Sequence, residues 1–439
     1  MSNSQHDVLH WLWLSLCCSP GSSAGDILLE YFDSDAKKIY ESSADDLAEM
    51  VGKVAPEIIT RLLNKDVTEA EEIKMWCEQN NVGLLPIDSP LYPKRLLRIQ
   101  KKPILLYYRG KLPIIDEEVC ITMVGTRRMT DYGQKQSYIL AADMASAGAI
   151  VVSGLALGVD SLAHRGSLDA GGHTIAILGC GIDQVYPPSN KPLYDEVLAS
   201  GTLITEFKPF TSPHGVNFPI RNRIMSGISL GTIVIEADLK SGALITARST
   251  IMQGRTVFAL PGKVGETNST GTLRLIKEGA KPVTEASDIL DEYQFLYPNK
   301  IFMENLPLRR NVNLSPKAKD LKVASDSHIK YREEKDAATR AEIRGTSSPE
   351  PAPVPPVQPI PPTRHAAPAP TASPARKPMA TLEGINKQIY DMLSTDTPTA
   401  ADDIAKTGLS INAVLASLTI LEIKGMVKPV PGGKYIKIV

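Results

Sequence analysis

Cys120–Val152 reads CITMVGTRRMTDYGQKQSYILAADMASAGAIVV, and the fold turns on this stretch. Its two ends, Cys120–Val124 and Ala149–Val152, are continuous apolar runs of strand length. That is the pattern of parallel strands buried on both faces, not the alternation of a strand with one wet face. Between them, Gln134–Ala147 is amphipathic at helical spacing, and Gly125-Thr126-Arg127 forms a turn after the first strand. Strand, turn, helix and strand make a βαβ unit, whose two strands must run parallel because a helix has to carry the chain back.

The same alternation continues outward. Further strands are expected at Thr174–Leu178, Leu203–Thr205, Thr232–Ile235 and Val257–Leu260, with a helix at Ala243–Gln253. Six strands alternating with helices predict an α/β fold with an open, doubly wound parallel sheet. Upstream, Leu85–Gly110 begins with the proline-rich LPIDSPLYPKRL and ends with the strand-like PILLYYRG. Residues 1–80 carry five segments of helical spacing: Val8–Leu16, Gly25–Phe32, Ala44–Met50, Pro56–Leu63 and Glu69–Gln79. They predict a small helical N-terminal domain of DNA-binding hairpin or packing type. The sheet domain is expected to occupy 81–300.

Beyond it the composition changes. Twelve of the 33 prolines lie between Pro349 and Pro378, interleaved with Ala, Val and Thr. Such a segment cannot bury enough apolar surface to fold, so 301–378 is expected to be an extended linker. Residues 379–439 read as helices at Gly384–Leu393, Ala401–Lys406 and Ile411–Ile423, the last with Ser410 as its N-cap, then two short strands around PGGK. Three helices and a β-hairpin predict a winged-helix domain.

Composition narrows the function. The formal net charge is −1, so nucleic-acid binding must come from local clustering of Lys and Arg and not from a general coat of positive charge. The apolar stretch Trp11–Cys18 is too short to span a bilayer and lacks a basic flank, which predicts a cytoplasmic protein without a membrane segment. The five cysteines form no CxxC pair and are expected to be reduced thiols.

In an open α/β sheet, ligands bind beyond the carboxyl ends of the strands. This chain places glycine-rich polar turns there repeatedly: Gly125-Thr126-Arg127, Ser153-Gly154 with Gly158 and Asp160, GCGIDQVYP, and Lys240-Ser241-Gly242. Glycine turns let the backbone approach a ligand, and exposed N–H groups at helix starts favour anions. A single such turn is ordinary loop chemistry. A whole rim of them, with Arg127, Arg221, Arg223 and Lys240 alongside, points to a phosphate-bearing ligand. Walker A is absent. Gly179–Gln184 resembles a dinucleotide motif only loosely, with Gln184 in place of the third glycine. Metal-ligand spacing is missing, His164 and His173 are isolated and expected to be structural, and Cys180 has no identifiable partner histidine. No cofactor, metal or catalytic residue is therefore expected.

The ordered series VGTRR…YG, SGLALGVDSLAHRGSLDAGGHTIAILGCGIDQVYP, GTLITEF, FPIRNRIMSGIS, VIEADLKSGALITARSTIMQGRTVFALPG and GTLRLIKEGA resembles the DprA/Smf family over roughly residues 85–295. The resemblance implies an extended Rossmann-like fold that binds single-stranded DNA without sequence preference. It also implies a homodimer that loads a RecA-type recombinase and protects incoming DNA during natural transformation, a binding protein and not an enzyme. By position, Gly125, Thr126 and Arg127 match the family's "VGSR" motif, with Thr126 where serine is common. Arg221, Asn222 and Arg223 match its "RNR" motif, and Lys240, Ser241 and Gly242 its "SG" loop. With Ser153 and Gly154 these are the expected DNA-binding residues. The segment SPGSSAGD departs from the family's helical-hairpin pattern.

Two other functions compete. The phosphoribohydrolases of the lysine-decarboxylase-like superfamily share a Rossmann core and use a catalytic glutamate; SLGTIVIEA keeps Gly231, Thr232 and Glu236 but lacks the paired glycines before them. A transcription factor with a winged-helix reader is the third reading. Against it, Ile411–Ser417, the first half of the would-be recognition helix, contains no Lys or Arg.

Overall fold

The computed structural model describes residues 3–307 and 313–321 and, of the tail, 384–395, 397–400, 403–404, 407, 414, 417–418, 421, 426–430 and 434–438. The chain divides into two compact units, Met1–Pro349 and Glu350–Val439.

The first unit opens with six helices: α1 (Asn3–Cys17), α2 (Ala24–Tyr31), α3 (Ala36–Glu41), α4 (Ala44–Ala48), α5 (Pro56–Leu63) and α6 (Thr68–Gln79). Five correspond to expected segments. The sixth, α3, is too short to show a period. Its start is fixed by Asp35, whose carboxylate accepts from the N–H groups of Lys37 and Lys38. Ser43 and Asp46 form a reciprocal capping box on α4. Trp13, Leu28, Ile39 and Leu62 share one core with Tyr107, Ala176 and Leu203 of the sheet, so the helical segment packs against one face of the sheet.

The sheet has nine strands: β1 (Gly83–Pro86), β2 (Leu105–Gly110), β3 (Cys120–Val124), β4 (Ile150–Ser153), β5 (Thr174–Ile177), β6 (Thr202–Thr205), β7 (Gly231–Val234), β8 (Thr256–Ala259) and β9 (Lys281–Pro282). Their order is β1-β2-β6-β5-β4-β3-β7-β8-β9. From β6 to β9 every pairing is parallel, while β1 and β2 add an antiparallel edge. All six expected parallel strands are present within a residue of their predicted bounds. The connecting helices are α7 (Lys94–Leu97) after β1, then α8 (Asp131–Ser146), α9 (Val159–Asp169), α10 (Lys191–Ser200), α11 (Asn217–Ile228), α12 (Ala243–Met252), α13 (Thr270–Lys277) and α14 (Ser287–Leu290). Alternate strand residues serve opposite faces. Ile121 and Met123 pack with Leu140 of α8 and Ala163 of α9, whereas Cys120 and Val124 pack with Ile224 of α11 and Ala247 of α12. The doubly wound fold is thus observed directly.

The chain leaves β3 in one direction toward β4, β5 and β6, and α11 carries it back across to β7 on the other side of β3. The reversal between β3 and β7 is the topological switch point, where side chains from both directions meet around an opening.

The expected linker 301–378 starts too early. Ile301 and Ala318 are buried, and the Phe302 N–H donates to Ala147 O at 2.9 Å. Ser315 Oγ donates to Asp169 at 2.6 Å, and Lys317 pairs with Glu196 at 3.0 Å. Ile301, Leu314 and Ala318 precede the proline run and supply the apolar surface that docks this segment on the sheet unit. Residues 322–378 lie outside the described residues.

In the second unit a helix, Gly384–Met392, accompanies a three-stranded antiparallel sheet of β10 (Thr399–Ala400), β11 (Val427–Val430) and β12 (Lys434–Lys437), ordered β10-β12-β11. Ile389, Leu393, Val414, Leu418, Leu421 and Val427 form its core. The expected helices Ala401–Lys406 and Ile411–Ile423 lie mostly outside the described residues.

Candidate nucleic-acid interface

At the switch point a crevice of about 480 Å³ opens between the turn after β3, the start of α12 after β7, and α11. The turn Gly125–Arg128 is held from three sides. The Thr126 N–H donates to Glu236 O at 2.7 Å, the Thr126 carbonyl accepts from Val159 N at 3.3 Å, and Thr126 Oγ1 accepts from Arg128 N at 3.1 Å. Gly158 permits this approach. Its φ is +85°, and a Cβ there would lie 2.4 Å from the Thr126 carbonyl oxygen.

Beneath the crevice Arg221 is 4% exposed. Its guanidinium donates to Gly154 O at 2.7 Å, to Ile177 O, and through Nε to Asn222 Oδ1 at 3.0 Å. Gly154 makes the room, since a Cβ at that position would sit 1.9 Å from Nη1 of Arg221. Asp160 is the nearby buried carboxylate; its oxygen accepts from Gly154 N at 3.2 Å. Burial raises the pKa of Asp160, opposed by Arg221 and then Arg127. The guanidiniums of Arg127 and Arg221 lie 5.7 and 5.9 Å from the Phe218 ring centre, within cation–π range.

The expected site residues separate into groups. Gly125, Thr126, Arg127, Arg221, Asn222, Ser241 and Gly242 all line the crevice, joined by Arg128, Asp160 and Phe218. Ser153 and Gly154 lie below it, with Ser153 Oγ donating to Met123 O at 2.7 Å to tie β4 to β3. Lys240 is exposed and does not line the crevice. Arg223 is not on the rim either. Two residues along a helix is about 200°, so Arg223 leaves α11 on the side opposite Arg221. There it pairs with Glu206 at 2.7 Å and donates to the carbonyls of Lys101 and Ile220. The single basic groove expected from Arg127, Arg221, Arg223 and Lys240 is therefore not what the fold builds. Phe218 and Arg128 were legible as neighbours of the FPIRNR and VGTRR motifs, but which helix face turns inward was not.

The competing chemistries meet specific geometry. Glu236 accepts from Thr130 N at 2.9 Å and from Thr130 Oγ1, at the N-terminus of α8. It ties that loop down, and the crevice lining does not include it. Cys180 is buried, which pushes its thiol up to about 12. His164 is buried and bonded to Leu155 N and Thr174 Oγ1; burial, then Arg221 and Arg165, bring its pKa down to about 3. Among the described residues no cluster of three or more His, Cys, Asp or Glu could hold a metal ion, and no helix is long and apolar enough to cross a membrane.

These features define a doubly wound α/β protein with an arginine-lined crevice at its switch point. The chain matches the family model for DNA recombination-mediator protein A over residues 83–294 and that for the DprA winged helix domain over 367–433. It is 34% identical to Protein Smf of Synechocystis over 362 residues, 82% of this chain and 81% of the relative. It is 40% identical to Protein Smf of Escherichia coli over 236 residues, 54% of this chain and 63% of the relative. The X-ray structure of DNA processing protein A from Streptococcus pneumoniae superposes with a TM-score of 0.55 at 32% identity, covering 62% of this chain and 94% of that one. The chain belongs to the DprA/Smf family, with a role in DNA processing and a winged-helix domain at its C-terminal end.

Proposed function

We propose that the switch-point crevice binds the sugar-phosphate backbone of single-stranded DNA without reading its sequence, and that the chain is a DNA-handling protein and not an enzyme. The observation that carries this reading is the convergence of Arg127, Arg128 and the α12 start on one open crevice above the buried Arg221. Guanidiniums and helix-start N–H groups suit phosphate oxygens, and phosphates carry no sequence information. The aromatic ring of Phe218 under two guanidiniums offers a face on which a base can stack. Family membership supports the further roles of a homodimer that protects the strand and passes it to a RecA-type recombinase. The domain plan, with residues 81–300 as the DNA-binding part, the proline-rich stretch as linker and the tail as a protein-contact or regulatory domain, belongs to the same proposal.

The test is fluorescence anisotropy with labelled single-stranded and duplex oligonucleotides across a salt series, on the wild type and on Arg127→Ala. Single strands should bind more tightly than duplex. Arg127→Ala should lose roughly 1.5–3 kcal/mol, the scale of a hydrogen bond to a charged group. Its log–log salt slope should fall by about 0.7 for each phosphate that the side chain no longer neutralises. Wild-type affinity and slope in a well-folded Arg127→Ala would overturn the reading. Co-purification with a RecA-type recombinase and sedimentation of the free protein test the partner and the dimer.

A further inference from the structure

A second basic basin lies at the other end of the same strands. It is a hollow of about 500 Å³ beside the N-terminal ends of β7 and β8, under α7, with Lys94, Arg95, Arg98 and Arg255 on its walls. Asp116 is the carboxylate among its lining residues. Part of this charge has a structural use. Arg95 donates to the carbonyls of Ile228, Asp116 and Glu118, and Arg255 donates to those of Ser229 and Arg95, so the two satisfy the last carbonyls of α11 and the approach to β3. Asp116 is likewise engaged, by the backbone N–H groups of Lys94 and Arg95 and by the Arg95 guanidinium at 3.6 Å.

What remains has no such explanation. The side chains of Lys94 and Arg98 are exposed and make no hydrogen bond or ion pair among the described residues. They add two positive charges to a wall that already holds two arginines, in a chain whose net charge is −1. The crowding is felt inside the cluster: burial, then Arg95 and Arg98, bring Arg255 down to about 10. Four cations around one engaged carboxylate form a concavity complementary to an anion, and planar guanidiniums suit phosphate oxygens.

We propose that this basin is a second phosphate-binding site, on the sheet edge opposite the switch-point crevice. Its phosphate comes either from a DNA strand running on past the crevice or from a free polyphosphate. The strand β7 separates the two sites by about 10 Å at roughly 3.3 Å per residue, so one phosphate cannot serve both.

The experiment uses the full chain and the double variant Lys94→Glu/Arg98→Glu, with Arg98→Ala as a milder second variant. Lys53→Glu, on the helical segment, controls for general electrostatics. Both probes are defined: inorganic pyrophosphate, read by thermal denaturation, and oligo-dT of about 6 and about 40 nucleotides, the first within and the second well beyond usual single-strand site sizes, read by anisotropy. A free-phosphate site predicts that pyrophosphate raises the Tm of the wild type and of Lys53→Glu by clearly more than that of the double variant, which keeps only the crevice. A strand site predicts that affinity for the long oligomer falls roughly tenfold or more in the double variant, with a smaller salt slope, while the short oligomer binds as before. The proposal is overturned if neither probe distinguishes the double variant or Arg98→Ala from wild type. It is also overturned if Lys53→Glu produces the same effect, or if binding of the short oligomer disappears as well. Because pyrophosphate reports without DNA, failure of single-strand binding by the wild type would count against the crevice reading and leave this one standing on its own arm.

Discussion

Replacing Arg221 with alanine tests whether its charge serves the fold or the ligand. The side chain is 4% exposed and donates to Gly154 O, Ile177 O and Asn222 Oδ1, with Asp160 as the buried countercharge. Alanine strands two carbonyls and leaves Asp160 buried with Arg127 and two backbone N–H groups to offset its charge. Leaving a buried charge without its neighbouring countercharge costs up to about 3–5 kcal/mol. With an unfolding entropy of about 2.1 cal/mol/K per residue, a unit of more than 300 residues loses roughly 1.5 °C per kcal/mol, so the Tm should fall by roughly 4–8 °C. The sign of the pH dependence follows from Asp160. Its folded pKa is already raised, and loss of Arg221 raises it further, so the stability it allows is full below the ordinary carboxyl range and is lost as pH rises. The deficit of Arg221→Ala should therefore be larger at pH 7 than near pH 5. Pairing Arg221→Met with Asp160→Asn should recover stability relative to Arg221→Met alone, because no charge is stranded. The assay is thermal and urea denaturation at both pH values, followed by circular dichroism. An Arg221→Ala protein melting within about 2 °C of wild type at pH 7 would refute the reasoning and make Arg221 a ligand contact only.

Arg223→Ala should lower the Tm and leave DNA affinity and salt slope at wild-type values, since Arg223 pairs with Glu206 at 2.7 Å away from the crevice; a reduced slope would return it to the interface. His164 is held neutral with its pKa near 3, well below the ordinary value, so its contribution to stability is present above about pH 6.5 and lost as pH falls. Each pH unit below that range should cost up to about 1.4 kcal/mol, and His164→Gln should flatten this part of the stability profile. A chain ending at residue 321 keeps the crevice and the docked segment, so it should bind single-stranded DNA like the full chain; protease should cut the full chain within 322–378, and a truncated chain that binds nothing would place the DNA site in the tail.

Much of the fold was legible because its periods are local. Strands buried on both faces must be apolar throughout, and Cys120–Val124 and Thr232–Ile235 announced themselves that way. Shorter elements did not. Helix α3 spans six residues, fewer than two turns, and only its cap at Asp35 marks it. Strands β1 and β9 are too short to carry alternation, and they are strands only because β2 and β8 offer free edges. The proline run led to the expectation of a linker over 301–378, but Ile301 and Ala318 bind the start of that segment to the sheet unit, and composition averaged over 78 residues hides two buried side chains.

The sequence alone determined the βαβ alternation, the glycine turns at the strand ends, the family, and the edge of the sheet on which Arg127, Ser241 and Gly242 would gather. These follow from spacing along the chain, which is local. Only the tertiary structure decided which arginines share a space. Arg221 and Arg223 stand two residues apart in one motif, yet the 100° turn per residue sends one beneath the crevice against Gly154 and Ile177 and the other to Glu206. In the same way, Lys94, Arg98 and Arg255 are separated by up to 161 residues and meet because α7 packs on α11 beside the start of β8. Charge acts through space, so its partners are set by the packing of strands and helices and not by order in the chain.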